Sequence, residues 1–551
     1  MRYFLLLLIT SLLLQAQNQE DSIKKMIGHM LIVGFDDQVI RYDSQIVSDI
    51  KKYNLGGVIL FDKYYATPDR VKNIRSPYQL KNLILQLKKF AKRDIIIAVD
   101  QEGGKVARLK PSDGFEAIPS AAQIAKMPLK EVHAIYKKES KTLKNAGINT
   151  NFAPVVDLAI NPLNHVIVQL ERSYSRESQN VVKFAKILIQ EQKKEGILSA
   201  IKHFPGHGSS LEDSHKGFVD ISKTWSSEEL KPYKTLIAAN MVDMIMTAHV
   251  FNAQLDKKYP ATLSYKINQE LLRDKMGYKG IIISDDLQMK AISKHYSLKE
   301  ATRLAINAGV DLLLFGNQLA HNSVQKIVEN IYQDVQEGKI ALSRIKEANK
   351  RINQTLTSYQ IVQKPINFTK KRIKLTKIYI KEHYGLDVKD IKIVPKNIVI
   401  HWTADMSFEK SFERLKGETL FSDRTDIVKA STLNVSAHYL IDRKGIIYQL
   451  MPDNWMARHV IGLNYSSIGI ENVGGEANKK EDLTDAQLKA NIKLIRYLKI
   501  KYPTIENIIG HYEYRDFENN QLWLEKDASY RTKKADPGIR FMKKIRQAVD
   551  E

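Results

Sequence analysis

Short apolar runs of β-type composition alternate with longer amphipathic stretches through residues 25–355. This alternation predicts repeated βα units, because a parallel strand needs a crossover, usually helical, before the next strand can pair with it. Eight such units favour a closed (β/α)₈ barrel of the α/β class over an open sheet. The eight runs cover residues 30–34, 57–61, 95–99, 150–154, 198–202, 244–248, 280–284 and 311–315.

Polar residues follow several of these runs, at the points where the predicted strands end. In a parallel barrel all carboxyl ends of the strands lie on one face, and that face holds the active site. A single polar strand end is explained by a cap or a loop hydrogen bond. Polar residues at five strand ends that meet on one face favour a functional site instead. The residues concerned are Asp100, Glu102, Asp157, Lys202, His203, His249, Asp285 and Asp286.

The loop after the fifth run contains Asp213 and His215, two positions apart. Alternate residues of an extended segment project to the same side, so Asp213 can orient the imidazole of His215. A histidine with a pKa near neutrality can protonate a leaving group and then deprotonate water. Retaining glycoside hydrolysis also needs a nucleophile, usually a carboxylate, and Asp285 suits that role. The alternatives are a loop cap for Asp213, a surface histidine for His215 and a helix N-cap for Asp285.

Five motifs of this region stand in a fixed order along the chain. They are Asp100-Gln-Glu-Gly-Gly104, Asn151-Phe-Ala-Pro154, Lys202-His-Phe-Pro-Gly206, Asp213-Ser-His215 and Ser284-Asp-Asp286. Together they resemble glycoside hydrolase family 3 over nearly the whole barrel. The loop with Asp213 and His215 is similar to that of the β-N-acetylglucosaminidase (NagZ-type) branch, which implies a retaining glycosidase without a cofactor.

The resemblance implies roles for eight residues of the barrel. Asp285 is the implied nucleophile, and His215, assisted by Asp213, is the implied acid/base. Five residues are implied to hold the terminal N-acetylglucosamine: Asp100, Arg108, Arg172, Lys202 and His203. The chain departs from the family pattern at Leu170, where glycine is usual.

A second, smaller domain of mixed α/β structure is predicted over residues 395–551. His401 ends its first apolar run, His511 ends a later one, and Asp536 follows. Two histidines and an aspartate form a three-ligand set that leaves a fourth tetrahedral position for water, as in catalytic zinc sites. The alternative is that these histidines are structural, because ligands so far apart in sequence are a weak pattern by themselves.

Five further motifs surround these residues. They are His401-Trp-Thr-Ala404, Ser436-Ala-His-Tyr-Leu-Ile441, Ile468-Gly-Ile-Glu471, Gly510-His511 and Lys534-Ala-Asp-Pro-Gly538. They resemble the zinc-dependent N-acetylmuramoyl-L-alanine amidases (AmpD-type), which are related to peptidoglycan-recognition proteins. The resemblance covers roughly residues 395–545.

This second resemblance implies a Zn²⁺ ion held by His401, His511 and Asp536. Zinc lowers the pKa of its water and polarises the amide carbonyl. Glu471 is the implied general base, and Lys534 is implied to stabilise the developing oxyanion. The alternative is that Glu471 and Lys534 are ordinary solvated charges.

Other features of this half lie outside the ligand set. His438 is expected to be a hydrogen-bonded core or supporting residue, and His459 to line the substrate groove. Residues 512–533 form an aromatic-rich insertion, which is either a stem-peptide or glycan surface or a packed loop. The lysine-rich residues 356–394 are interpreted as a basic linker with some helix.

The first seventeen residues differ in composition from the rest. Arg2 precedes an apolar stretch at residues 3–14, and cleavage after Ala16 would complete a secretory signal peptide. The alternative is an uncleaved membrane anchor. The prediction is export to the periplasm or cell envelope. The chain has no cysteine, which excludes disulfides and cysteine ligands to metals.

Both implied reactions act on one polymer, so the sequence predicts a bifunctional hydrolase of peptidoglycan or muropeptides. The formal net charge of +23 favours association with the anionic envelope. Nucleic acid is not expected as a partner, because no nucleic-acid motif accompanies the charge. Two alternatives stay open: a non-catalytic peptidoglycan-binding second domain, and a broader β-glucosidase barrel.

Overall fold

The computed structural model describes residues 17–550, apart from residues 92, 214–216, 360, 423, 425, 426 and 429. It divides into two compact units, Met1–Thr355 and Leu356–Glu551. Except for Gln17, the predicted signal peptide lies outside the described residues. In the part of the chain that is described, no helix combines the length and the apolar character needed to cross a membrane.

The first unit is a closed barrel of eight parallel strands, in which each strand pairs with the next and the eighth pairs with the first. The prediction of a (β/α)₈ barrel is therefore confirmed. The strands are β1 (Leu31–Gly34), β2 (Gly57–Ile59), β3 (Ile96–Val99), β4 (Thr150–Asn151), β5 (Leu198–Phe204), β6 (Met244–Thr247), β7 (Ile281–Asp286) and β8 (Leu312–Phe315).

Helices connect successive strands of the barrel, one helix precedes the first strand, and two follow the last strand. They are α1 (residues 17–28), α2 (Gln45–Tyr53), α3 (Pro77–Ala91), α4 (Ala121–Ile124), α5 (Leu129–Ala146), α6 (Ser178–Lys194), α7 (Lys231–Ala238), α8 (Lys290–Ser293), α9 (Leu298–Asn307), α10 (Val324–Gln336) and α11 (Leu342–Ser358), with a π-helix at Lys266–Lys275 between β6 and β7. Gly147 caps the C-terminus of helix α5, where a φ of 94° favours glycine.

The barrel strands are buried on both of their faces. Ile32 and Val33 point to opposite sides of β1, yet their exposed fractions are 0% and 1%. Burial of both faces explains why the strands are continuous apolar runs rather than alternating ones.

The second unit is built on a six-stranded mixed sheet with the order β14-β10-β13-β11-β12-β9. The strands are β9 (Ile361–Gln363), β10 (Asn397–Trp402), β11 (Tyr439–Ile441), β12 (Ile447–Gln449), β13 (Ser467–Asn472) and β14 (Asn507–Gly510). The helices are α12 (Lys370–Tyr379), which continues as a π-helix at Ile380–Tyr384, α13 (Phe408–Lys416), α14 (Asp485–Lys501) and α15 (Ile539–Asp550). This mixed sheet confirms the predicted class of the second domain.

The structure corrects the interpretation of residues 356–394 as a linker. Strand β9 pairs with β12 at the edge of the sheet. Helix α12 and the π-helix that follows it bury Tyr379, Ile380 and Tyr384 in an apolar cluster of the second unit. The lysines of this segment lie mostly on its exposed side, so its overall composition conceals a buried face.

Candidate functional sites

A cavity of about 540 Å³ opens at the carboxyl ends of the barrel strands. Seven of the eight predicted site residues line it, together with Glu102; the seven are Asp100, Arg108, Arg172, Lys202, His203, Asp213 and Asp285. The eighth, His215, lies outside the described residues. Strands β3, β5 and β7 each deliver residues to this cavity from their final positions or just beyond them.

Glu102 is the centre of a buried charge cluster in this cavity. It accepts hydrogen bonds from Arg172 Nε at 2.7 Å and from Arg172 Nη2 at 2.8 Å. The Nζ atom of Lys202 lies 2.6 Å from Glu102 Oε1 and 2.8 Å from Asp100 Oδ1. Burial alone would raise the pKa of Glu102, but Arg172 and Lys202 hold it well below its usual range. The cluster is therefore ionised, and its charges are paired.

Hydrogen bonds fix the ring orientation and tautomer of His203. Arg172 Nη2 lies 3.2 Å from His203 Nε2, and a guanidinium can only donate. His203 Nε2 is therefore the acceptor, and Nδ1 donates to Asp157 Oδ2 at 2.6 Å. Although burial opposes its ionisation, the pKa of Asp157 is lowered by His203 and by the backbone N–H of His207. Asp157 thus holds His203 against the cavity.

Asp285 lies next to last in β7, and its side chain lines the cavity. Its Oδ1 accepts a hydrogen bond from the backbone N–H of Asp286 at 2.7 Å. Asp213 reaches the same cavity from the loop after β5. A carboxylate from β7 and a carboxylate from this loop therefore border one space, as nucleophilic catalysis with a separate acid/base requires.

The second unit has its own cavity, of about 430 Å³, and His401, His511 and Asp536 line it. His401 Nδ1 and His511 Nδ1 lie 2.9 Å apart, and Asp536 Oδ2 lies 3.2 Å from the first and 3.0 Å from the second. Within the described residues, this is the group of three or more possible ligands close enough to hold one metal ion.

The protonation of His401 supports a metal at this point. His401 Nε2 lies 3.0 Å from His459 Nδ1, and His459 Nε2 lies 3.4 Å from the carbonyl of Ser467. Since a carbonyl only accepts, His459 Nε2 is the donor, its Nδ1 accepts from His401 Nε2, and His401 Nδ1 keeps a free lone pair. Two imidazoles and a carboxylate then face one another at about 3 Å, close to the roughly 3.3 Å ligand spacing of tetrahedral zinc.

Glu471 and Lys534 line the same cavity. Glu471 occupies the position of β13 that is in register with His401 of β10, so the parallel pairing places the two residues side by side. Burial raises the pKa of Glu471 to about 7, against an opposing effect of His401 and Lys534. A carboxyl group with this pKa can accept and release a proton near neutrality.

A family model described as the glycosyl hydrolase family 3 N terminal domain matches residues 22–355, which is more than half of the chain. The chain belongs to glycosyl hydrolase family 3. A second model, described as N-acetylmuramoyl-L-alanine amidase, matches residues 392–539. The family 3 protein is therefore a hydrolase with a glycosidase domain followed by an amidase domain, as both sequence resemblances predicted.

Several proteins are similar to the family 3 domain. A β-hexosaminidase of Tolumonas auensis is 34% identical over 299 residues, which cover 52% of this chain and 82% of the relative. β-Hexosaminidase A of Pseudoalteromonas piscicida is 35% identical over 287 residues, and the match spans 48% of this chain and only 46% of that longer protein.

Solved structures show the same fold. A β-N-acetylhexosaminidase of Beutenbergia cavernae has a TM-score of 0.55 at 23% identity, covering 62% of this chain and 98% of its own. A family 3 β-N-acetylglucosaminidase of Paenibacillus has a TM-score of 0.55 at 23% identity, covering 88% of this chain and 84% of its own.

The sequence alone assigns no role to two supporting residues of the barrel cavity and only part of the role of one histidine in the second domain. Glu102 and Asp157 were noted only as polar strand ends, although the first pairs two cations and the second orients His203. His459 was expected to line the groove, and it does, but it also fixes the tautomer of His401. His438 is buried, and its Nδ1 accepts from the backbone N–H of Gly469 at 2.9 Å.

The aromatic insertion of the amidase domain is largely packed. Tyr514 and Tyr530 are 1% and 8% exposed and belong to one apolar cluster with Val399 and Val460. Tyr530 Oη accepts a hydrogen bond from Arg458 Nη2 at 2.9 Å and also borders the cavity. Of the two interpretations left open by the sequence, these residues favour the packed loop, which forms part of the cavity wall.

Proposed function

We propose that this family 3 enzyme is a bifunctional peptidoglycan hydrolase. Its barrel releases terminal N-acetylglucosamine from muropeptides, and its second domain cleaves the amide bond between N-acetylmuramic acid and L-alanine. One observation carries the proposal: each unit has its own cavity, and the described residues that one of these two reactions needs line it. Of the residues needed, His215 alone lies outside the described residues. The hexosaminidase names of the relatives and the amidase family model support these substrates.

In the barrel, Asp285 attacks the anomeric carbon and forms a glycosyl ester while the bond to the leaving oxygen breaks. His215, assisted by Asp213, gives a proton to that oxygen and later takes one from the water that hydrolyses the ester. Glu102, Arg172 and Lys202 already neutralise one another's charges, so they can bind the uncharged hydroxyl groups of the sugar. This division of roles supports retention of configuration.

In the second domain, His401, His511 and Asp536 would hold Zn²⁺. When bound, the ion supplies Lewis-acid activation of water and of the amide carbonyl. Glu471 takes a proton from the attacking water and passes it to the amide nitrogen as the C–N bond breaks. Lys534 stabilises the negative charge that develops on the carbonyl oxygen.

Selective removal of the metal tests this proposal. Muropeptides are incubated with wild-type enzyme, with and without a chelator, and the products are identified by mass spectrometry. Chelation is expected to stop amide cleavage and to leave release of N-acetylglucosamine unchanged, whereas Asp285→Asn should have the reverse effect. His401→Ala serves as a metal-site control and should behave like chelation. Loss of both activities on chelation, or of neither, would contradict the assignment.

We also propose that the enzyme works outside the cytoplasm, in the periplasm or cell envelope. The composition of residues 1–17 and the net charge of +23 support this location. Cell fractionation with the native N-terminus and with residues 2–17 deleted tests it. Recovery of both forms in the cytoplasmic fraction would refute export.

A further inference from the structure

The segment after β2 forms an aromatic wall on one side of the barrel cavity. We use this name for Phe61, Tyr64 and Tyr65, which all line the cavity. Gln318, from the segment after β8, clasps the wall through two hydrogen bonds. It accepts from the backbone N–H of Tyr65 at 3.0 Å and donates to the carbonyl of Lys63 at 2.9 Å. The segments that follow β2 and β8, the two strands on either side of β1, are thereby joined.

A buried lysine contacts the two less exposed rings of the aromatic wall. The Lys72 side chain is fully buried, donates to the carbonyl of Asn317 at 2.8 Å and lies 3.3 Å from Asp36 Oδ1. Its Nζ atom is 5.2 Å from the ring centre of Tyr64 and 5.5 Å from that of Phe61. These contacts hold the wall in a defined position, so that its outermost ring is presented by a rigid support.

Tyr65 is much more exposed to solvent than the charged residues of the same cavity. Its exposed fraction is 60%, whereas Arg172 is 9% exposed and Lys202 is 2% exposed. The buried charges offer partners for the hydroxyl groups of an enclosed terminal sugar. Tyr65, at the rim, offers a large apolar ring to whatever extends out of the cavity. One face of a pyranose carries mainly C–H groups, and burying that face against an aromatic ring is favourable.

We propose that Tyr65 is a specificity-determining residue, which packs against the sugar on the leaving-group side of the scissile bond. The ring then contributes to catalysis only when the leaving group is a sugar, and the enzyme prefers muropeptide or oligosaccharide substrates to small glycosides. This inference rests on the proposed glycosidase function and deepens it, because it names the part of the substrate that is recognised at the rim.

The test uses the full-length enzyme and compares two substrates that differ only in the leaving group. N-acetylglucosaminyl fluoride leaves a single atom, which cannot reach Tyr65, and N-acetylglucosaminyl-N-acetylmuramic acid leaves a sugar. Tyr65→Ala is expected to lower kcat/KM for the disaccharide by roughly fivefold to tenfold, as the loss of one aromatic contact does. For the fluoride, the variant and the wild-type enzyme should have about the same kcat/KM.

Three matched variants complete the experiment. Tyr65→Phe should retain wild-type kcat/KM, because the ring and not the hydroxyl makes the contact. Tyr78→Ala removes a tyrosine of α3 that is 79% exposed and does not line the cavity. This variant should have the wild-type kcat/KM for both substrates. Gln318→Ala loosens the clasp and should lower the disaccharide value in the same direction as Tyr65→Ala.

The outcomes separate this inference from the function on which it rests. An equal loss of kcat/KM on both substrates, or a loss on neither, would overturn the role of Tyr65 while the glycosidase function stands. Failure of the wild-type enzyme to release N-acetylglucosamine from either substrate would refute the proposed function itself, and the inference with it.

Discussion

Deletion of residues 356–391 should prevent the amidase domain from folding, although the family model begins only at residue 392. The deleted segment contributes five buried side chains to the apolar clusters of the second unit: Ile366, Tyr379, Ile380, Tyr384 and Ile391. At roughly 1.5–3 kcal/mol for each buried side chain, their loss amounts to about 8–15 kcal/mol. A whole domain is stable by only about 5–15 kcal/mol, so the remainder should be unfolded.

The assay compares two fragments, residues 356–551 and residues 392–551, by circular dichroism, thermal unfolding and amide cleavage in the presence of zinc. The longer fragment should unfold cooperatively and cleave the amide bond, since it matches the compact unit. The shorter one should lack a cooperative transition, because Leu433 and Met456 lose the neighbours that bury them. If the shorter fragment had the same Tm and activity as the longer one, residues 356–391 would not be required for the amidase domain to fold, and the prediction would be wrong.

Two further changes test the electrostatics of each domain. Glu102→Gln leaves Arg172 and Lys202 as buried cations without their shared partner, and should cost about 3–5 kcal/mol of barrel stability in urea unfolding and abolish N-acetylglucosamine release. Retained amide cleavage is the control, and unchanged barrel stability would contradict the argument. The second change concerns His383 of the amidase domain. Burial lowers the pKa of His383, but hydrogen bonds to Glu525 and to the backbone carbonyl of Ala430 outweigh this effect and raise the pKa above 6.5. Its contribution is therefore complete below pH 6.5 and is lost as the pH rises through the folded pKa, so the Tm of the amidase domain should fall there; His383→Phe should flatten that dependence, and an equally steep fall in the variant would contradict it.

The barrel could be predicted from sequence because each of its strands is buried on both faces. Runs such as residues 280–284 must then be apolar throughout, and their repetition identifies the fold. Strand β9 could not be predicted in the same way, because it is only three residues long and two of its residues are exposed at the sheet edge. Some helix was predicted in this segment, but the packing of helix α12 into the second unit was not: its lysines dominate the composition, while its buried face depends on the cluster that it covers.

The site residues were predicted from motifs, but their relations depend on packing that the motifs do not encode. His401 and His459 are 58 positions apart, and only the folded domain shows that one donates to the other. Glu102 likewise stands two positions after Asp100. Whether such a carboxylate faces solvent or two cations depends on how the segments after β3 and β4 pack beside β5, which the local sequence does not specify.

The two sites differ in how their buried charges are balanced, and this difference bears on the metal. In the barrel, Glu102 faces the cations Arg172 and Lys202, so its cavity is compensated by protein groups alone. In the amidase domain, two imidazole nitrogens converge on a carboxylate within about 3 Å. Lone pairs this close repel one another unless a proton or a cation lies between them. Only the second arrangement therefore gains from a bound cation, which is why a chelator should separate the two activities.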